Sequence, residues 1–94
     1  MGAVPLVVKL LTEFIGTFFL MLTVLVSGGN ALLIGAALAL IVFLTGGISG
    51  AAVNPALTLG LFTTGTFDMV TTLTYIAVQV AAGIGAAWTY RAVA

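Results

Sequence analysis

A chain of 94 residues that is 63% apolar and only 4% charged lacks the polar groups needed to cover a soluble domain, so its composition is that of an integral membrane protein. Two basic residues, Lys9 and Arg91, balance two acidic ones, Glu13 and Asp68, and leave no polybasic patch for nucleic acid. Without His or Cys there are no disulfides, no thiolate chemistry and none of the usual zinc or haem ligands, and no metal or cofactor is expected.

From Val4 to Val26 the chain is apolar apart from Lys9, Glu13 and three threonines, long enough to cross a hydrocarbon core of roughly 30 Å with some tilt. It is longer than a signal-peptide core and has no convincing cleavage site before the next apolar segment, so it is predicted to be retained as span one (about 4–26). Ser27-Gly28-Gly29-Asn30 signals a tight turn, and a second, shorter apolar segment follows (about 31–46).

The stretch from Gly46 to Gly65, GGISGAAVNPALTLGLFTTG, is too broken by glycine to span a bilayer and too apolar to lie exposed. Asn54 stands where a helix N-cap would, and Pro55 takes the first helical position, where its missing N–H costs nothing. A helix from there to about Phe62 is roughly 12 Å long and must stop near mid-membrane. Non-helical backbone at that depth is tolerated only inside protein or along a watery cavity, so the stretch (about 47–63) predicts a re-entrant loop, a half-helix and a pore. Gly65 closes the half-helix, and Thr66 or Asp68 starts span three (about 68–90), which ends at Trp88 and Tyr90 with Arg91 beyond.

Three spans and a half-helix put Lys9 and Arg91 on opposite faces. That balance is what a chain inserting in both orientations would show, and equally what a small protein oriented by other means would show. Small residues recur at packing spacing (Gly35 with Ala39, Gly46 with Gly50, Ala81 with Gly85, Ala82 with Ala86), which suits close helix crossings but is also ordinary transmembrane composition.

GISGAAVNPALTLG, at residues 47–60, resembles the first-half signature of the aquaporin and glycerol-facilitator family. Glu13-Phe14-Ile15-Gly16-Thr17 is similar to that family's first-helix motif, and Gln79 falls at its usual glutamine. The resemblance implies an all-α membrane fold of three transmembrane helices plus one re-entrant half-helix, with residues 1–94 forming a single repeat, half of the six-span fold. Family members carry two inverted copies of this unit, whose site lies at the repeat interface near the midplane. It further implies that Asn54, Pro55 and Ala56 line a pore, that the carbonyls of Gly50, Ala51 and Ala52 form a ladder of acceptors, and that Glu13 and Gln79 brace the loop. A proton-relay role is the other reading of Glu13, an intramembrane acid.

One unit presents a helix N-terminus at mid-depth with nothing facing it. A second copy inserted upside down would supply the opposing half-helix and bring two Asn-Pro-Ala motifs together, in an assembly of four pores if the family's tetramer carries over. The alternative is a subunit or fragment that completes or regulates a pore with a different aquaporin-like chain. At the constriction positions this chain has Ile34 where an aromatic is common and Leu57 where the second-half motif carries Arg; Ala52 replaces a frequent His. The expected cargo is water or small neutral solutes such as glycerol, the surroundings are membrane lipid, and enzyme chemistry is excluded for want of groups.

Overall fold

The computed structural model describes residues 3–94 and contains four helices, α1 (Leu6–Val26), α2 (Ala31–Thr45), α3 (Pro55–Thr63) and α4 (Met69–Val93). By length and composition α1 and α4 can cross a membrane, whereas α2, with 15 residues, is shorter than that.

Helix boundaries follow local chemistry. The α1 helix begins at Leu6 rather than Val4, because a residue before proline avoids the helical region. Pro5 is extended (φ −60°, ψ 148°), and its carbonyl accepts from the N–H groups of Val8 and Lys9. Asn30 caps α2 by accepting from the Leu33 N–H at 3.0 Å, after a turn in which Gly28 and Gly29 have φ of 66° and 81°. Hydrogen-bonded turns carry the α2 direction on from Thr45 to Gly50, so the segment after Gly46 starts as tight turns rather than as extended chain.

Asp68, not Thr66, caps α4: its Oδ1 accepts from the Thr71 N–H at 2.8 Å. That bond, helped by the Thr71 hydroxyl and by Lys9, holds the Asp68 carboxyl below its ordinary value of 3.8. The α4 helix runs past Tyr90 to Val93, because nothing in Arg91-Ala92-Val93 stops it, and Arg91 lies within its last turn, where a cation suits the negative helix end.

The α1 and α4 helices form the main contact, α2 packs only on α1, and α3 packs only on α4. Of the small-residue pairs, Ala82 and Ala86 are fully buried at the α1–α4 crossing, and the Phe18 ring lies against Gly85, whereas no neighbour approaches Gly35. Gly16 is a tight point between segments. A Cβ there would meet Val53 Cγ1 at 2.9 Å and Ile41 Cγ2 at 3.3 Å, so its missing side chain lets α1, α2 and the loop approach together.

The interior is unusually polar for so apolar a chain. Glu13, Thr17, Ser49, Thr58, Thr72 and Gln79 are buried, while Leu32, Phe43 and Trp88 are 85%, 84% and 72% exposed. A solvent of lipid makes that distribution favourable, because the large side chains keep an apolar environment outside and the polar groups find partners only inside.

Candidate functional site

The site is built around the carboxylate of Glu13, fully buried on α1. A buried carboxylate must accept hydrogen bonds on both oxygens, and here four donors converge on it. Oε2 accepts from Ser49 Oγ at 2.6 Å and the Ala52 N–H at 3.2 Å, and Oε1 accepts from the Val53 N–H and Gln79 Nε2, both at 2.8 Å. These partners lie on the loop and on α4, so one side chain ties three segments together.

Backbone conformation makes this possible. Gly50, Ala51 and Val53 have φ of 90°, 51° and 41°, and this positive-φ backbone turns the Ala52 and Val53 N–H groups toward one concavity, which the carboxylate fills. A β-branched residue in the left-handed region is strained by roughly 1–3 kcal/mol, and at Val53 the N–H bond to Glu13 Oε1 opposes that cost. The Ala51 N–H also turns inward, donating to Ser49 Oγ at 3.3 Å. With these donors facing protein, no protein donor among the described residues reaches the carbonyls of Gly50, Ala51 and Ala52.

The loop delivers the chain to α3. Asn54 is extended (φ −161°, ψ 127°), and its Oδ1 accepts from the Ala56 N–H at 2.7 Å, which leaves its NH₂ group as a free donor at the helix head. Thr58, one turn on and fully buried, accepts from Gln79 Nε2 at 2.8 Å and donates to the Asn54 carbonyl at 2.9 Å. Gln79 therefore links the carboxylate to the half-helix. On the other side of the loop, the Tyr75 hydroxyl donates to the Ser49 carbonyl at 2.6 Å, and the Tyr75 ring packs edge-on against Phe67.

Glu13, Gln79, Gly50, Ala51, Ala52 and Asn54 thus belong to one connected cluster, with Pro55 and Ala56 opening the helix that leaves it. Leu57 lies in the first turn of α3 and is exposed, while Ile34 stands apart on α2, which touches neither the loop helix nor α4. Sequence reasoning passed over Ser49, Thr58 and Tyr75. A signal existed: Thr72, Tyr75, Gln79, Ala82 and Ala86 recur at spacings of three and four along α4 and form its buried stripe. Thr17, one turn beyond Glu13 on α1, is buried with a hydroxyl that has no hydrogen-bond partner among the described residues.

Residues 26–94 match the family model described as Major intrinsic protein. The chain is similar to Aquaporin NIP1-1 of Arabidopsis thaliana (32% identity, covering 95% of this chain and 34% of that protein). It is also similar to Probable aquaporin NIP5-1 of Arabidopsis thaliana (36%, covering 96% and 34%) and to Aquaporin NIP3-1 of Zea mays (34%, covering 96% and 34%). The chain spans about a third of the length of these relatives. No solved structure matches it.

Proposed function

Because the chain belongs to the major intrinsic protein family and is an integral, multi-pass membrane protein, we propose that it forms a passive channel for water and small neutral solutes such as glycerol. The supporting observation is the Glu13 cluster, which turns the loop N–H groups inward and leaves the Gly50, Ala51 and Ala52 carbonyls and the Asn54 amide free for a passing hydroxyl or water.

In this reading residues 1–94 are one repeat. The α1 and α4 helices cross the membrane, α2 with the turns continuing to Gly50 gives about 30 Å and crosses as well, and α3 at about 13 Å ends near mid-depth. A second, inverted copy faces it, and two Asn54-Pro55-Ala56 segments meet at the centre. The carbonyl ladder accepts from the solute, Asn54 donates to its oxygen, and two converging positive helix ends oppose cations and interrupt a proton wire. Glu13 and Gln79 brace the loop, Glu13 in preference to a proton-relay role. Ile34 and Leu57 leave the outer constriction apolar, which favours small neutral solutes over strict selection of water. Four such pores in one assembly would follow the family.

A second reading, supported by Leu57 in place of an arginine and by the fraction of its relatives that the chain spans, pairs this unit with a different aquaporin-like chain that supplies the other half. Stopped-flow swelling of liposomes containing only this chain separates the two. Permeability to water or glycerol above that of empty liposomes is expected, and permeability equal to that of empty liposomes overturns the self-complementing pore. Labelling of a terminal tag from either side is expected to find both orientations; a single orientation removes the inverted pair.

A further inference from the structure

Of the four charged side chains, Glu13 is taken up by the loop and Arg91 stands in the last turn of α4, which leaves Lys9 and Asp68. These two line one polar cavity of about 320 Å³, together with Gly65, Thr66 and Thr71, where the start of α1, the end of α3 and the start of α4 come together. Lys9 is near enough to help hold the Asp68 carboxyl low, yet no ion pair joins the two among the described residues. Capping α4 accounts for Asp68 but not for Lys9, which is half-buried one turn before Glu13. The 21 residues of α1 make about 31 Å of helix, so its first turn falls where a hydrocarbon core of roughly 30 Å gives way to lipid headgroups. A simple anion at that place would meet the Asp68 carboxylate and the negative end of α3, and a simple cation would meet Lys9. A group that carries both signs avoids both penalties. A quaternary ammonium has no N–H to give a carboxylate and needs an open aromatic face, whereas Phe67 and Tyr75 are buried edge-on against each other.

We infer that this cavity is a headgroup site for a membrane lipid of the phosphoethanolamine type, with Lys9 holding the phosphate and Asp68 the primary ammonium. The Thr66 hydroxyl, which shares a 3.0 Å bond with Thr64, can turn its proton to a phosphate oxygen. A headgroup held there ties the start of α1 to the end of α3, two helices that do not pack on each other. The inference takes from the reading above only that α1 crosses the membrane, and it holds whether or not a pore forms.

Native mass spectrometry of the 94-residue chain in detergent, titrated with phosphatidylethanolamine, phosphatidylcholine or phosphatidylglycerol of the same acyl chains, tests the site. Phosphatidylethanolamine is expected to bind about tenfold more tightly than either of the others, the size of one hydrogen bond to a charged group. Asp68→Asn, which keeps the cap, is expected to erase most of that preference and to strengthen binding of phosphatidylglycerol. Lys9→Gln is expected to weaken binding of phosphatidylethanolamine about tenfold, Lys9→Arg to retain it, and an Arg91→Gln control to leave it unchanged. Equal binding of the three lipids overturns the site, and so does a preference that survives Asp68→Asn. Tightest binding of phosphatidylglycerol by the unaltered chain leaves a bare lysine contact and overturns the pairing with Asp68. Displacement of the lipid by an equal concentration of free glycerophosphoethanolamine assigns the cavity to a soluble zwitterion and overturns the lipid. Swelling of liposomes made of phosphatidylcholine alone tests the channel separately. Flux without selective binding rejects the site and keeps the channel, whereas selective binding without flux supports the site and rejects the channel.

Discussion

Glu13 accepts from four donors on two other segments, and no other side chain can do this from its position on α1. Glu13→Gln keeps the shape but replaces one acceptor oxygen by an NH₂ that faces donors. Each buried donor left without an acceptor costs about 1–3 kcal/mol. The variant is therefore expected to lose about 2–4 kcal/mol of stability, seen as a lowered thermal midpoint in detergent. At the head of α3, Asn54→Asp places a charge where a neutral donor stands. If Asn54 lines the lumen, liposomes carrying the variant should show lower water flux or a new cation leak, and unchanged selectivity would remove Asn54 from the pathway. Asp68 predicts a pH effect of definite sign. Its folded value is depressed, so its contribution is complete above the unfolded value of 3.8 and is lost as pH falls through the lower folded value. Helicity followed by circular dichroism should therefore hold above about pH 4 and decline below it, and Asp68→Asn, which still caps, should flatten that decline.

Among the elements, Gly16 shows how three segments are held by one absent side chain. Gly16→Ala pushes its new carbon into Val53 Cγ1 and Ile41 Cγ2, and overpacking of this kind costs typically 1–3 kcal/mol. Because Val53 immediately precedes Asn54, solute flux is expected to fall further than stability alone accounts for, which parallel measurements of unfolding and swelling would resolve. The elements also show what a sequence carries locally. The start of α3 is readable because Asn54 and Pro55 act within a residue or two of themselves, and so is the turn at Gly28-Gly29. The end of α4 is not, since no glycine or proline follows Tyr90 to stop the helix. Ser49 and Thr58 are equally hidden: each looks like an ordinary polar residue of an apolar segment until folding brings a partner from far along the chain, while Tyr75 is legible only as one position of the buried stripe of α4. Left-handed backbone at Ala51 and Val53 runs against residue preference altogether and is imposed by the carboxylate.

At the scale of the whole molecule, polarity is inverted relative to a water-soluble domain. The largest exposed residues are Leu, Phe and Trp, and the centre is a hydrogen-bonded network. The α2 helix touches only α1 and contributes no side chain to the central hydrogen-bonded network, so hydrogen exchange in detergent should be faster along it than at the α1–α4 crossing. Equal protection of α2 and α4 would mean that a second chain covers α2.

The distance along the chain between Glu13 and its partners also sets an order in time. Ser49 lies 36 residues after Glu13 and Gln79 lies 66 after it, so during synthesis α1 reaches the membrane while every group that donates to its carboxylate is still unmade. A lone acid at the centre of a helix costs about 2.5–3.5 kcal/mol in the bilayer. Until the loop and α4 emerge, α1, apolar enough to cross by itself, therefore carries that cost without its four donors. Its place against the loop is therefore completed by α4, long after its own sequence has been made.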